Sequence, residues 1–190
     1  KKKYEWLFPP KTNFIKDFVT VGDAILGDLP SLGNNQSKRS YKAEPKNKFQ
    51  LMIRKGSKEL TNHLSPNHPQ STIEMIKNTK PGDAMYKKFK QRIRLNKNMP
   101  SPTQVCGGIR PQFQFGHPTQ SRGLSIRERA RIQTFPDSYE FMGGITQGRV
   151  QTGNAVPVLV AKALSGQLKR MFQNKKLRGY KGDIMQNDLF

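Results

Sequence analysis

The sequence predicts a mixed α+β fold, in which short helices and strands are followed by one long C-terminal helix. Two capping boxes, Ser71–Glu74 and Ser125–Glu128, indicate helix starts, because the serine hydroxyl and the glutamate carboxylate satisfy first-turn amides. Gln91–Leu95 alternates in character, as a strand with one polar face does. Val158–Phe172 has the apolar periodicity of a long amphipathic helix.

The first part of the chain predicts one helix and one strand on either side of a loop. Thr20–Pro30 is a candidate helix, which Thr20 or Asp23 would cap. Residues 31–48 contain little that is apolar and predict a mobile loop. Phe49–Ile53 is apolar enough to form a strand.

Three helices are predicted in the remainder. The first would run from the Ser71–Glu74 box to the Lys80–Gly82 turn, with Ile76 facing inward. The second, opened by the other capping box, would end before Pro136. The third is Val158–Phe172, which would bury one apolar side.

The charge of the chain points to a polyanionic partner. Its 190 residues include 34 Lys and Arg against 13 Asp and Glu, a formal charge of +21, and each basic group that neutralises a phosphate releases a counterion. A solubilising tail or a ribosomal-type coat is the alternative. No apolar run of about 18 residues predicts a membrane span. The single cysteine, Cys106, excludes an internal disulfide and fits a reducing compartment, and no signal peptide is visible.

The most basic stretch is the candidate nucleic-acid surface, because lysine and arginine set affinity while arginine can also pair with guanine O6 and N7. Its aromatic and apolar residues are interleaved with the charges. Arg92 or Arg94 could read a guanine, whereas a solvated run of charge is the alternative for the lysines. The candidate DNA-binding residues are Lys87, Lys88, Lys90, Arg92, Arg94 and Lys97.

The helix Ser125–Thr134 and the turn Gly153–Pro157 allow two interpretations each. The helix carries three arginines and a glutamate, which form either a solvated surface or a set of planar, bidentate ion pairs with carboxylate or phosphate. In the turn, Asn154 could simply cap the next helix. Alternatively, the turn would expose backbone amides and the Asn154 side chain to a small ligand.

No catalytic or metal site is predicted. His63, His68 and His117 lack metal-ligand spacing, and no cysteine joins them. Cys106 has no adjacent base and is expected to be an inert thiol. Carboxylates are scarce, no pair of them suits acid–base work, and no phosphate-cradling glycine loop is present.

Two blocks, at this spacing, carry a resemblance to the DNA (cytosine-5) methyltransferases. Arg122–Tyr139 (RGLSIRERARIQTFPDSY) resembles the ninth sequence block of that family, and Gly153–Pro157 (GNAVP) resembles the tenth. Shorter segments agree with bacterial members, and the resemblance covers about residues 4–172. These segments are Phe8-Pro9, Val19–Ile25, Asn62-His63, Pro100–Thr103 and His117-Pro118.

The resemblance implies a division of the chain. Residues 1–30 would follow a catalytic domain, residues 31–121 would form the target recognition domain, and residues 122–140 would organise its base. Residues 141–173 would be a cofactor-side turn and a helix that completes a Rossmann-like catalytic domain supplied elsewhere, followed by a basic, frayed tail, 174–190.

The resemblance also implies roles for single residues. Phe135, Asn154 and Ala155 match positions that contact S-adenosylmethionine in the family. The residues expected to be mainly structural are Arg122, Arg127, Glu128, Arg131 and Gln133.

The implied reaction is methyl transfer to C5 of a cytosine flipped out of a specific duplex site, as in restriction–modification. The family's Pro-Cys nucleophile loop, Glu-Asn-Val block and Phe-x-Gly-x-Gly turn are missing from this sequence, so no catalytic residue is assigned and this chain by itself is expected to be inactive. The expected partners are double-stranded DNA and a catalytic large subunit or N-terminal half, in the bacterial cytoplasm at the nucleoid. The alternatives are a stand-alone nucleic-acid-binding module or non-catalytic remnant, and a protein that coats RNA.

Overall fold

The computed structural model describes residues 7–10, 18–32, 38–106 and 114–173, so the predicted tail lies outside the described residues. Two compact units are present: Lys1–Phe18 with Val156–Phe190, and Val19–Ala155. The described elements, in chain order, are α1 (Val21–Ile25), β1 (Lys38–Arg39), α2 (Lys48–Arg54), β2 (Leu60–Thr61), α3 (Gln70–Asn78), α4 (Ile126–Ile132), α5 (Ile145–Asn154) and α6 (Val158–Phe172).

The mixture of helices and strands predicted from the sequence is confirmed, although the strands are short. β1 pairs antiparallel with β2, with Lys38 opposite Thr61 and Arg39 opposite Leu60. β1 lies inside the predicted loop, of which residues 33–37 are outside the described part of the chain. The functional boundaries expected at residues 30, 121 and 140 fall inside the unit Val19–Ala155 and stay predictions.

Helix α1 begins as predicted but ends early. The Thr20 hydroxyl accepts from the Asp23 amide, and the Asp23 carboxylate accepts from the Thr20 amide, which completes a capping box. The helix ends at Ile25, because Leu26 is extended and Gly27 follows with φ 103°. Pro30 therefore does not set its end.

The predicted strand Phe49–Ile53 is wrong, since these residues lie in α2. The Asn47 side chain accepts from the Gln50 amide and caps the helix. Phe49 and Ile53, four residues apart, are buried together, whereas Leu51 is 64% exposed. The apolar run thus has a helical face, and part of it is left in solvent.

Helix α3 ends where predicted but does not use the predicted capping box. It begins at Gln70, after Pro69, and no side chain caps it, so Ser71 lies within its first turn. Ile76 is fully buried, as expected. Gln91–Leu95 forms isolated bridges rather than a strand: Ile93 pairs with Ala84, and Arg94 with Gly116.

The main core of the unit Val19–Ala155 is formed by α1 and α2 together with side chains from β2 and from the loops. It contains ten buried apolar residues: Val21, Ala24, Ile25, Leu29, Phe49, Ile53, Leu60, Leu95, Phe115 and Leu124. Helix α4 contacts both α1 and α5. This position allows α4 to tie the loops to the core.

In the other unit, α6 spans Val158–Phe172, as predicted. The expected burial of its apolar side is wrong for the described residues, because Val160 and Leu168 are 50% and 46% exposed. The buried Gln167 side chain donates to the Leu7 carbonyl at 2.9 Å. Among the described residues, no helix has the length and apolar character needed to cross a bilayer.

Candidate nucleic-acid interface

Helix α4 is a buried polar helix, not a solvated one. Ser125 and Glu128 form the predicted capping box, and the helix ends at Ile132, before Pro136. Arg127 and Arg131 are both 0% exposed. Since an unpaired buried charge is strongly unfavourable, the partners of these arginines decide what the helix does.

Arg131 joins two acidic residues from distant parts of the chain. Its Nη1 and Nη2 donate to the Asp28 carboxylate at 2.8 and 2.9 Å. Its Nε and Nη2 donate to Asp137 at 3.0 and 2.6 Å. Although burial opposes the charge, the hydrogen bonds that Arg131 donates to Asp28 and Asp137 raise its pKa. This triad fixes α4 against the loop that follows α1.

Arg127 fixes the end of β2. It donates to the Thr61 carbonyl at 3.0 Å, to the Thr61 hydroxyl at 2.8 Å and to the Tyr139 carbonyl at 2.6 Å. Next to it, the Asn62 amide exchanges two hydrogen bonds with the Phe141 backbone. Burial is the main cause that lowers the pKa of Arg127.

Glu128 and Arg122 form a bidentate ion pair at 2.8 and 2.7 Å. Glu128 also accepts from the Ser125 amide at 2.8 Å, and His117 Nε2 lies 3.5 Å from its carboxylate. Burial by itself would raise the pKa of Glu128, but hydrogen bonds from Arg122 and His117 hold it well below its usual value. The four residues tie the segment before α4 to its first turn.

The remaining histidines support the same segment. His63 lies 2.9 Å from the Ser125 hydroxyl and 3.0 Å from the Pro30 carbonyl. His68 Nε2 accepts from the Gly123 amide at 2.9 Å, which requires the neutral imidazole. Within the described part of the chain, no group of three His, Cys, Asp or Glu could hold a metal ion.

The candidate DNA-binding residues lie mainly on a short hairpin, residues 83–94, which we call the basic hairpin. The Met85 amide donates to the Arg92 carbonyl at 2.8 Å, and the Arg94 amide to the Asp83 carbonyl at 3.0 Å. Met85 is buried against α3. The lysines 87, 88 and 90 are exposed at the tip, and Lys97, beyond the hairpin, is exposed as well.

Arg94 anchors the basic hairpin. Its Nη1 donates to the carbonyls of Ile76 and Thr79 at 3.1 and 3.0 Å, at the C-terminal end of α3. Its Nε donates to the His117 carbonyl at 3.3 Å. A cation at this end of a helix is favourable, because the last carbonyls lack helical partners. The geometry favours this structural role over the base contact that its sequence position suggested.

Arg92 is placed differently, above aromatic rings. Its Cζ lies 4.4 Å from the ring centroid of Phe89 and 5.6 Å from that of Tyr86. The two rings meet edge to face, with centroids 6.4 Å apart. Sequence reasoning noted these aromatics but gave them no individual role, because their mutual contact depends on how the hairpin turns.

The residues expected on the cofactor side have unequal exposure. Phe135 is half-buried and packs against Tyr139 and Phe141, with centroids 5.1 and 5.2 Å apart. Asn154 is exposed as the last residue of α5, and Ala155, half-buried, follows it. The simple interpretation of Asn154 as the cap of α6 is wrong, because Pro157 stands there without a side-chain cap.

Helix α5, which sequence reasoning missed, holds Asn154 in place. The buried Gln133 donates to the Thr152 carbonyl at 3.1 Å. A Cβ on Gly153 would lie 2.2 Å from Cys106 Cα, so the chain passes too closely there for any side chain. The glycine of the block is therefore needed for packing, and the exposed Cys106 has no assigned role.

Arg129 also has a role that sequence reasoning did not assign. It is buried, and it donates to the Thr152 hydroxyl and the Val105 carbonyl, both at 3.0 Å. Burial, together with the charge of Arg149, lowers the pKa of Arg129 to about 10. The sequence shows that this block contains more arginines than acidic residues. It does not show that Arg129 is the arginine without a carboxylate partner.

The chain is similar to proteins that methylate DNA. A profile described as C-5 cytosine-specific DNA methylase matches residues 9–170. The Type II methyltransferase M.DdeI of Desulfomicrobium norvegicum is 32% identical over 90% of this chain and 48% of its own length. M.AquIB of Picosynechococcus, also a Type II methyltransferase, is 37% identical over 61% of this chain and 95% of its own length.

A solved structure supports the same family assignment. A crystal structure of a prophage-encoded E. coli protein, assigned as a DNA modification methyltransferase, superposes with a TM-score of 0.68 at 25% identity. The match covers 88% of this chain and 50% of that one. The chain likewise spans about half the length of the first curated relatives, at 48% and 46%. From the profile, the relatives and the fold together, the chain belongs to the C-5 cytosine-specific DNA methylase family.

Proposed function

We propose that this chain is the DNA-recognition and cofactor-pocket-completing portion of a DNA cytosine-C5 methyltransferase of the restriction–modification type. The observation that carries the proposal is the basic hairpin, whose exposed lysines stand on a base fixed by Arg94 and α3. A rigid, cationic projection is suited to the phosphates and the major groove of a duplex. The enzyme would transfer a methyl group to C5 of a cytosine flipped out of a specific site.

The nucleophile and the assisting carboxylate would come from a catalytic partner, either a large subunit or the N-terminal half of the same enzyme. In support, this sequence contains no Pro-Cys loop, and the acidic residues that are buried in the described part of the chain, Asp28, Glu128 and Asp137, are engaged by arginines. The near-complete coverage of M.AquIB indicates that a curated member of the family can be as short as the region matched here.

The cofactor side fits a partial S-adenosylmethionine pocket. When bound, that group would supply the methyl to be transferred. The exposed Asn154 amide can hydrogen-bond a polar ligand, and the half-buried Phe135 ring offers an apolar surface. The contact of Gln133 with Thr152 supports both positions, because it joins the ends of α4 and α5. Ala155 would line the pocket without blocking it.

The DNA-binding part of the proposal is tested with three lysines at once. Lys87, Lys88 and Lys90 are changed together to Gln, and Lys48, Lys55 and Lys58, also exposed and outside the hairpin, are changed as a matched control. We expect the hairpin variant to lose at least tenfold in affinity for duplex DNA by fluorescence anisotropy. Equal losses in both variants would contradict a specific surface. Equal binding of RNA and duplex DNA would favour the RNA-coating alternative.

The enzyme part is tested by reconstitution with a partner that carries the Pro-Cys loop. The full chain should transfer no methyl group from labelled S-adenosylmethionine without the partner, and should do so after mixing. Asn154→Ala should weaken cofactor binding in the mixture and leave DNA affinity unchanged. If the chain is only a nucleic-acid-binding module, Asn154→Ala will change neither measurement. Methyl transfer by the chain without a partner would disprove the proposal that the catalytic groups come from a partner.

A further inference from the structure

Phe89 is an exposed aromatic side chain at the tip of the basic hairpin. Its side chain is 41% exposed, and its neighbours at this tip are the charged lysines 87, 88 and 90. An isolated exposed apolar residue is common on protein surfaces. What separates this one from a chance exposure is that its ring is held in a fixed position among the cations.

Two contacts and two turns hold the ring. The Tyr86 ring meets it edge to face, and the Arg92 guanidinium covers it at 4.4 Å. The Phe89 amide donates to the Tyr86 carbonyl at 3.4 Å, and the Arg92 amide donates to the Phe89 carbonyl at 2.9 Å. Aromatic pairs and cation–π contacts both stabilise a ring in a defined orientation. The ring is therefore pre-organised before any ligand arrives.

The covered face limits what Phe89 can do against a duplex. An aromatic ring that inserts fully between two base pairs has a base against each of its faces, so both faces must be free. Arg92 occupies one face of Phe89, so insertion is excluded while this contact persists. The free part of the ring can only touch the edges of bases from within a groove.

Base edges offer one apolar group that distinguishes sequences. In the major groove, every base presents hydrogen-bonding atoms, but thymine also presents its C5 methyl group, which a phenylalanine can contact. The lysines on either side of Phe89 would bind the phosphates that border the same groove. If these lysines bind the phosphates on both sides of the groove, the Phe89 ring between them in sequence is within reach of the base edges.

We infer that Phe89 is a specificity-determining residue, which reads a thymine in the recognised site by contact with the thymine C5 methyl group. The inference rests on the proposed function, because it needs the basic hairpin to lie in the major groove. Arg92 is then a positioning residue, whose guanidinium orients the ring.

The test begins with a random 20-base-pair duplex library, from which the full wild-type chain selects its tightest binders. In the selected duplex, each thymine is replaced in turn by deoxyuridine, which lacks only the methyl group. We expect one replacement to weaken wild-type binding about fourfold, the value of one buried methyl group. Phe89→Ala should bind the thymine and uracil forms equally.

Leu51→Ala is the matched control, since Leu51 is an exposed apolar residue on α2 and lies outside the hairpin. It should keep the fourfold discrimination. If no replacement weakens wild-type binding, or if Phe89→Ala still discriminates, the thymine contact is disproved. The lysine variant then decides separately whether the hairpin binds DNA. If no duplex is enriched and the lysine variant binds as well as wild type, both the contact and the proposed function are disproved.

Discussion

At the scale of single residues, the arginines of α4 differ in what neutralises them. Arg131 is held between Asp28 and Asp137, whereas Arg127 relies mainly on hydroxyl and carbonyl oxygens. Arg129 has carbonyl and hydroxyl acceptors and repels Arg149. In a chain with only 13 acidic residues, the few carboxylates in this region are committed to the scaffold. These carboxylates are therefore held away from the lysines at the tip of the basic hairpin.

His63 and His68 make stability depend on pH, because burial lowers the pKa of both imidazoles. Burial, followed by the charges of Arg149 and Arg122, lowers the pKa of His68 from 6.5 to about 4. As pH falls below 6.5, the unfolded chain takes up the proton first, so the contribution of neutral His68 is present above pH 6.5 and is lost towards pH 4. We therefore expect the urea concentration at the unfolding midpoint to decrease as the pH is lowered from 6.5 to 4.5.

His68→Gln separates this residue from the other titrating groups. Glutamine can still accept a hydrogen bond from the Gly123 amide but does not titrate. The variant should show a flatter dependence of the urea midpoint over the same pH range. His63, whose pKa burial also lowers, would account for the remaining slope. An unchanged slope would mean that His68 is not the group responsible.

At the scale of elements, the two capping boxes show what local sequence can and cannot decide. Both have the same Ser-x-x-Glu pattern, yet only Ser125 caps a helix. Before Ser71, Pro69 has already set a backbone from which the helix starts one residue early. The pattern identified a helix at both places, and the start depended on the residues in front of it.

The two serines therefore form a matched pair. Ser125→Ala should destabilise the protein by about 1 kcal/mol or more, because the cap and the contact with His63 are lost together. Ser71→Ala should change the free energy of unfolding by less than about 0.5 kcal/mol, since no side chain caps α3 and alanine is a good helix former. Urea denaturation of both variants measures the difference. Equal effects would contradict the assigned helix starts.

Helices α2 and α5 were missed for different physical reasons. The apolar run of α2 lacks a partner strand and gains a cap from Asn47, which local apolarity does not reveal. Helix α5 contains Gly148, Gly153 and several β-branched residues, all weak helix formers. Its formation is selected by tertiary packing, because a Cβ on Gly148 would lie 2.8 Å from Ile126.

Glycine substitutions test that packing. Gly153→Ala should destabilise strongly, by several degrees or more in melting temperature, because backbone atoms of Val105 and Cys106 must move. Gly166→Ala in α6 has open space around it and should raise stability by about 0.5–1 kcal/mol. Calorimetry of the two variants provides the comparison. A neutral Gly153→Ala would show that α5 does not approach Val105 and Cys106 as described.

At the scale of the whole molecule, the charge of +21 sets how binding responds to salt. We expect the logarithm of the duplex-binding constant to fall linearly with the logarithm of salt concentration. Replacing Lys87, Lys88 and Lys90 by Gln should reduce the slope by about 2.7, at about 0.9 for each phosphate neutralised. The control set Lys48, Lys55 and Lys58 should leave the slope unchanged. A slope that both sets reduce equally would indicate binding by diffuse charge.

The candidate site was only partly predictable, and distance along the chain explains why. The signature residues and the basic stretch were visible in the sequence as local patterns. The partners of Arg131 and Arg94 were not, because Asp28 and the carbonyls of α3 meet these arginines only after the chain has folded. The fold class and the family could be predicted from sequence patterns. The separate roles of the arginines could not, because those roles depend on tertiary contacts.

The pairing of Arg131 with Asp28 has a consequence for folding during translation. The two residues are 103 positions apart. At a synthesis rate of 5–20 residues per second, Asp28 would wait roughly 5 to 20 s for Arg131. During that interval, Arg54 is already available, since its Nη1 lies 3.6 Å from the Asp28 carboxylate, but the bidentate pair with Arg131 is not. The burial of Asp28 is thus completed late in translation, and a chaperone would meet a nascent chain in which the segment around α1 is still open.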